Sequence, residues 1–466
     1  MARRRQALTL VAIGVVTFVV CLAASSWLYR GDLAASVWKP VPSWAPSYAG
    51  IIRSDGIGYL AWTYSIGTGD LCFADYIQET LPIQPQAASG FHYPTTAGCF
   101  LPQYTLGQGL VWAIPVLGLR FAVTATRGSP PGSWLTNSAG LGIMIGSAFM
   151  AAVGICALIW TLRRRVGMWA ASIAAISTFV GMYGFHYATF DGQFSHATSF
   201  GLFGLFIALT AVVRNRVTRL QPSIFWAVML GLDIALIGLV RLPNVLIVFV
   251  YLVIAFWQPL MAALRHEGAN SSRRRNLAQP LVLMSATAFL ALSIQPILWH
   301  AASGAWLPKT YVDQGFTLSS QTPVIIARIL ADPTWHGAIM WSPILIVAAF
   351  GFAVGYRRFG YQAIGSIAAI ATMILTAATW TFPSGGGGLG LRFLVDVSPF
   401  IAVGVAAATS LARAAGPRSV YILIAAISIC TLWSLSAMLG YWDGRFPITG
   451  APIADLVRVV MSPHLP

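Results

Sequence analysis

The sequence predicts an all-α integral membrane protein with about eleven transmembrane helices and a large first outer loop carrying juxtamembrane helices. Three observations lead there. Of 466 residues, 57% are hydrophobic and only 9% charged, against roughly a quarter charged in soluble domains. Apolar runs of about 20 residues, enough to cross a bilayer, follow one another along the chain. Basic groups stand between alternate runs: Arg3–Arg5, Arg163–Arg165, Arg214 with Arg216 and Arg219, Arg265 with Arg273–Arg275, Arg357 with Arg358, and Arg413 with Arg418. The positive-inside rule puts these groups in the cytoplasm. Nearly all of the 13 Asp and Glu residues then fall on the outer side; Glu267 shares a basic loop and Asp233 sits inside a span.

Residues 1–30 form a cytoplasmic tip and a first span, 8–28, too long to read as a cleaved signal. Residues 31–138 form the first outer region. It holds Asp32, Asp55, Asp70, Asp75 and Glu79, with Trp38, Trp44, Tyr48, Tyr59, Trp62 and Tyr64 suited to helices at headgroup level. Within it, Gln108–Ala122 is apolar, but a crossing there would invert every later basic group. It is expected as a re-entrant or interfacial segment, where Pro115 is tolerable. Residues 139–298 form a bundle with spans at 139–162, 168–187, 196–213, 221–240, 243–263 and 279–298. A second outer loop, 299–336, holds Lys309, Asp313, Arg328 and Asp332. Spans at 361–382, 393–412 and 419–440 follow one at 337–356 within the C-terminal region 337–440, and 441–466 is an outer tail.

The net charge of +15 does not point to nucleic acid. The basic residues sit at span ends, where they set orientation and meet membrane lipids. Short cytoplasmic loops leave no room for a nucleotide-binding domain, and no internal repeat suggests paired transporter halves. Cys21, Cys156 and Cys430 lie in apolar runs, whereas Cys72 and Cys99 share the first outer loop, where a disulfide is chemically allowed and left open.

Three outer clusters carry candidate chemistry. In Arg53-Ser-Asp55-Gly-Ile-Gly-Tyr59, a carboxylate near the headgroup plane suits a general base, and Gly56 and Gly58 allow close approach of a ligand. The plainer reading is a polar turn in which Asp55 caps a helix. In His186-Tyr-Ala-Thr-Phe-Asp191-Gly-Gln-Phe-Ser-His196, the spacing fits no firm zinc pattern, and helix capping is favoured over a metal site; His196 remains a candidate hydrogen-bond donor to substrate. The Gly-rich turn Gly385–Gly388 leads to Arg392, a candidate for gripping a phosphate, with pairing to Asp396 as the alternative. Its formal match to G-x-G-x-x-G carries no weight without a preceding strand. Arg241 is a second anion-binding candidate, whose alternative is a salt bridge to Asp233. Asp233, as an intramembrane acid, is functional by default, though one acid makes a thin proton path.

In this order the pieces resemble the polytopic glycosyltransferases of the GT-C fold, which use polyprenyl-phosphate sugars and include protein O-mannosyltransferases and lipid A aminoarabinose transferases. The likeness rests on Ser54-Asp55-Gly56 after the first span, Tyr104–Gly107 to Pro115, Ser195-His196, Trp335-His-Gly-Ala-Ile-Met-Trp-Ser-Pro343, and Leu391-Arg392-Phe393 to Pro399. The resemblance implies Asp55 as catalytic base and Arg392 as a donor-phosphate ligand; Arg53, Tyr59, His196 and Arg241 are the further candidates for binding substrate. Many members carry two adjacent acids where Asp55 stands alone, so a divalent metal ion stays open as a cofactor. Implied partners are a polyprenyl-phosphate-linked sugar donor, an envelope glycan or lipid acceptor, and membrane lipids. The implied location is a bacterial inner membrane with the site facing outward. The alternative reading is a transporter or flippase of a lipid-linked saccharide; a non-catalytic scaffold is the third.

Overall fold

The computed structural model describes residues 2–29, 51–52, 55–80, 92–95, 98–221, 223–265, 271–307, 315–385, 388–446 and 450–462. Helix α1 (Ala2–Leu28) is followed by α2 (Asp55–Thr68) and α3 (Ala74–Thr80). A small ribbon comes next, β1 (His92–Pro94) antiparallel to β2 (Phe100–Pro102) with His92 opposite Pro102, then α4 (Gly107–Arg127). The bundle continues through α5 (Asn137–Val166), α6 (Met168–Gly181), α7 (Gly184–Thr189), α8 (His196–Thr218), α9 (Ile224–Val240) and α10 (Asn244–Arg265). After α11 (Ser271–Leu292) and α12 (Ile294–Ser303) come α13 (Thr322–Ala331), α14 (Ala338–Trp341), α15 (Ile344–Phe359) and α16 (Tyr361–Thr379). The chain ends in α17 (Phe393–Asp396), α18 (Ser398–Ala415), α19 (Pro417–Trp442) and α20 (Ile453–Met461).

Among the described residues, nine helices are long and apolar enough to cross a membrane. Eight of the expected runs are among them, but 168–187, 221–240 and 337–356 are not, and Gly107–Arg127 joins the set. Val11, Val15 and Val16 on α1, Phe249 on α10 and Ile422 and Ile429 on α19 are exposed. So much uncovered apolar surface belongs against lipid. The protein is a multi-pass membrane protein.

The two ends of the bundle differ in chemistry. At one, Arg165 donates to the Arg358 carbonyl, Arg413 to Val166 and Arg214 to Ala255. Guanidiniums there tie the termini of α5, α8, α15 and α18 to their neighbours. At the other, Tyr29 reaches the Phe190 carbonyl at 2.6 Å and Ser147 the Gly192 carbonyl at 2.7 Å. Between the ends, helices approach over small residues. A Cβ on Gly351 would lie 1.9 Å from the Gly404 carbonyl oxygen, so α15 and α18 touch backbone to backbone.

Helix α4 is continuous through Pro115. Its start presses on Leu239 and Val240, Trp112 meets Gly146 and Val116 meets Gly142. Since Ser147 already reaches Gly192, α4 runs along the part of α5 beyond that turn and away from the basic end. The loop after it is fixed at the same end by Glu79, whose carboxylate accepts from Ser133 and from the Trp134 and Leu135 amides. Cys72 and Cys99 form a disulfide with Cα atoms 4.6 Å apart, fastening β2 to the α2–α3 connection.

Two expected runs break where the site forms. The run 168–187 stops at Gly181, and Tyr183, at φ 64°, turns the chain into α7. The run 393–412 breaks at Val397, after which Pro399 sits in the first turn of α18, where its missing N–H costs nothing. That break frees Asp396 from the long helix.

Candidate active site

A cavity of about 400 Å³ opens at the end of the bundle away from the arginine clusters. It is built from helix termini: Asp55 opens α2, His196 opens α8, Arg241 closes α9, Asn244 opens α10 and Arg392 precedes α17. Helix termini concentrate unsatisfied backbone groups and polar side chains, so sites assembled this way are polar while the helix bodies stay apolar. Met373, Ala377, Trp380 and Phe382, from the end of α16 and beyond it, supply an apolar wall.

The cavity thus brings together Asp55, Tyr59, His196, Arg241 and Arg392 from positions more than 300 residues apart in sequence. Arg53 lies outside the described residues. Gly56 is needed for contact with protein: a Cβ there would come 2.6 Å from that of Gln193, so α2 is pressed against the turn before α8. Tyr59 donates to Ser195 Oγ at 3.1 Å and stacks obliquely on Tyr104, ring centroids 4.6 Å apart. Burial raises the Tyr104 phenol well above its usual pKa; Asp55 adds to the shift and Arg392 opposes it. Both charges are therefore felt at one ring.

The residue that sequence reasoning missed is Asp396. Fully buried, it accepts from His196 Nδ1 at 2.6 Å and pairs with Arg241 Nη1 at 3.3 Å; Asn244 Nδ2 lies 3.4 Å away. Arg241 therefore takes its carboxylate from Asp396, not from Asp233 as the alternative had it. Asp233 is buried with neither oxygen hydrogen-bonded. The 3.2 Å approach of Arg241 Nη1 to His196 Nδ1 is two donors sharing one carboxylate. With its proton on Nδ1, a neutral His196 accepts at Nε2, whereas a protonated ring donates there. Asp396 carried a signal, since it stands at the edge of an apolar run, where an acid is costly.

Both guanidiniums lie against Phe393, Arg241 at 5.5 Å and Arg392 at 5.9 Å from its centroid, and Arg392 also covers Phe194 at 5.3 Å. The backbone just before Arg392 is clamped. Gly390, at φ 64°, leaves room for the Tyr183 ring, and Tyr187 donates to the Leu389 carbonyl at 3.0 Å. This fixes the backbone from which Arg392 projects.

The His186–His196 segment does not converge on a metal. His186 pairs with Asp191 at 2.9 Å and accepts from Trp442 at 2.8 Å, while His196 belongs to Asp396. Among the described residues, no group of three or more His, Cys, Asp or Glu side chains is placed to hold a metal ion. Among the described residues Asp55 is the one carboxylate lining the cavity, whereas a divalent-cation site takes several oxygen ligands.

The solved structures that the fold matches include two of an archaeal oligosaccharyltransferase. The archaeal oligosaccharyltransferase AglB from Archaeoglobus fulgidus, in complex with an inhibitory peptide and a dolichol-phosphate, superposes with a TM-score of 0.51 at 13% identity over 94% of this chain. The Archaeoglobus fulgidus oligosaccharyltransferase tethered to an acceptor peptide gives 0.50 at 14% identity over the same share. The chain spans 56% of the length of each. No protein-family model and no curated protein matches the sequence. The chain is a multi-pass membrane protein with the GT-C fold.

Proposed function

We propose that this protein is a membrane glycosyltransferase that moves a sugar from a polyprenyl-phosphate donor to an envelope glycan or lipid acceptor. In this reading it works on the outer face of a bacterial inner membrane. One observation carries the proposal: a single cavity collects Asp55, the only acid lining it among the described residues, with Arg241 and Arg392. The dolichol-phosphate held by AglB, itself a polyprenyl phosphate, supports a lipid-phosphate donor. Segregation of basic residues to the opposite end supports an outward-facing site by the positive-inside rule.

The step follows from the side chains. Asp55 removes the proton of an acceptor hydroxyl as its oxygen attacks the anomeric carbon. The bond from that carbon to the phosphate oxygen breaks, and its electron pair leaves with the lipid phosphate. Arg392 offers that oxygen charge-assisted hydrogen bonds, and Arg241, held by Asp396, adds fixed positive charge. His196 Nε2 accepts from a sugar hydroxyl, and the apolar wall from Met373 to Phe382 lies along the first units of the lipid. The phosphate is already a fair leaving group, so no general acid is required.

The test is transfer of labelled sugar by purified protein given synthetic polyprenyl-phosphate sugars. Asp55→Asn should insert and bind donor normally but lose transfer by about 10²-fold or more. Full transfer by that variant removes the base. Movement of the lipid-linked sugar across vesicles with no new glycosidic bond would favour a transporter.

A further inference from the structure

At the basic end, far from the catalytic cavity, a second recess of about 540 Å³ lies where α8, α10, α15 and α16 meet. Arg165, Arg214 and Arg358 line it. Among the described residues, none of the three forms an ion pair with a carboxylate and no acid lines the recess. Two are held by neutral groups: Arg165 by the Arg358 carbonyl at 2.6 Å, and Arg214 by the Ala255 carbonyl at 2.8 Å and the Tyr361 ring at 4.2 Å. Three arginines thus share one recess whose described walls carry no acid, and an anion held among like charges offsets their mutual repulsion.

The rest of the recess says what carries the anion. Val253, Trp257 and Ile364 complete it, and all three are exposed on the flank that faces lipid. A ligand that satisfies both parts is charged at one end and apolar at the other. The recess and the catalytic cavity share no lining residue, and Gly365 packs on the buried Tyr251 ring, which a Cβ would meet at 2.8 Å, where α10 and α16 meet.

We propose that this recess binds the phosphate headgroup of an anionic phospholipid, with an acyl chain lying along Val253, Trp257 and Ile364. Juxtamembrane arginines attract such lipids by about fivefold in affinity for each charge.

Native mass spectrometry of the detergent-purified full chain, titrated with phosphatidylglycerol, phosphatidylcholine or inorganic phosphate, tests this. Wild type should retain a phosphatidylglycerol adduct at least about tenfold more than phosphatidylcholine, and the preference should weaken at high salt. Arg358→Gln and Arg165→Gln, both at exposed positions, should each cut that preference about fivefold, with sugar transfer at the remote cavity unchanged in either variant. Equal retention of the two lipids, or a preference untouched in both variants, overturns the proposal. Inorganic phosphate displacing phosphatidylglycerol at equal concentration also overturns it, in favour of a free-anion site. Lack of activity in wild type would count against the glycosyltransferase reading and leave this one standing, because the adducts are read without turnover.

Discussion

Replacing Asp396 with Asn separates the structural from the electrostatic work of the cavity. The carboxylate holds His196 Nδ1 at 2.6 Å and Arg241 at 3.3 Å and is fully buried. An amide of the same shape has one acceptor where the carboxylate has two. With its oxygen toward His196, its NH2 confronts the N–H groups of Arg241 and Asn244. With the oxygen toward Arg241, the NH2 faces His196 Nδ1 and forces the imidazole proton onto Nε2. At an effective dielectric of 20, the lost attraction at 3.3 Å is about 5 kcal/mol before desolvation. Relief of the buried carboxylate's own desolvation offsets part of that, and Arg241 keeps some solvent contact, so the net loss of stability is about 3 kcal/mol. Activity should fall further than stability alone explains, by about 10²-fold in kcat/KM, since an untethered Arg241 no longer presents a fixed charge to the leaving phosphate. The assay pairs sugar transfer with thermal unfolding in detergent. An Asp396→Asn protein with wild-type Tm and wild-type kcat/KM would refute the network outright. Lost stability with normal kcat/KM would refute its catalytic half.

Arg392→Ala should raise the Kd for polyprenyl phosphate by about tenfold or more, read by competition with a fluorescent lipid phosphate, and unchanged affinity would argue against its role. His336 is buried with neither ring nitrogen hydrogen-bonded; burial first and Arg392 second hold its pKa down from 6.5 to about 4. The unfolded chain therefore takes up that proton first. Its stabilising contribution is complete above pH 6.5 and is lost as pH falls toward about 4, up to about 3 kcal/mol. The Tm should drop across that window, and His336→Asn, which suits the left-handed backbone at φ 57°, should flatten the drop. Gly351→Ala should cost about 3 kcal/mol or more, because its Cβ would lie 1.9 Å from the Gly404 carbonyl; Gly118→Ala, with open space around it, is the control that should leave Tm unchanged or raised.

The fold was legible because hydropathy and charge act on the whole chain at once. Long apolar runs report membrane helices, although the expected number of spans was not reproduced helix by helix. Breaks inside apolar runs were not legible. Tyr183 turns the chain after Gly181 because its ring has a seat on Gly390, some 200 residues later, and no local window contains that fact. The same limit hid Asp396. The run 393–412 is apolar enough to read as one span, and only the tertiary partners His196, Arg241 and Asn244 reveal why an acid stands at its edge. The pull of local pairing misled elsewhere too: Asp233 looked close enough to neutralise Arg241, yet its oxygens have no partner.

These failures have one physical origin, which bears on how such a site is built. An acid at a membrane boundary is costly unless something satisfies it, and along its own helix only i±3 and i±4 neighbours are in reach. Ending the helix removes that restriction. The stops at Val240, Ser195 and Val397 free three polar residues to meet across the bundle, while the helix bodies beneath stay apolar and pack over glycine. A polar cavity can then sit on a lipid-embedded scaffold without placing an unpaired charge in hydrocarbon. Arg241 and Asp396 show the trade directly: each would be costly alone, and together with His196 they leave a cation fixed at the cavity wall. For a reaction whose departing group is a lipid phosphate, a cation held by a buried partner gains more from the arriving anion than a fully solvated one, because it has less hydration left to lose.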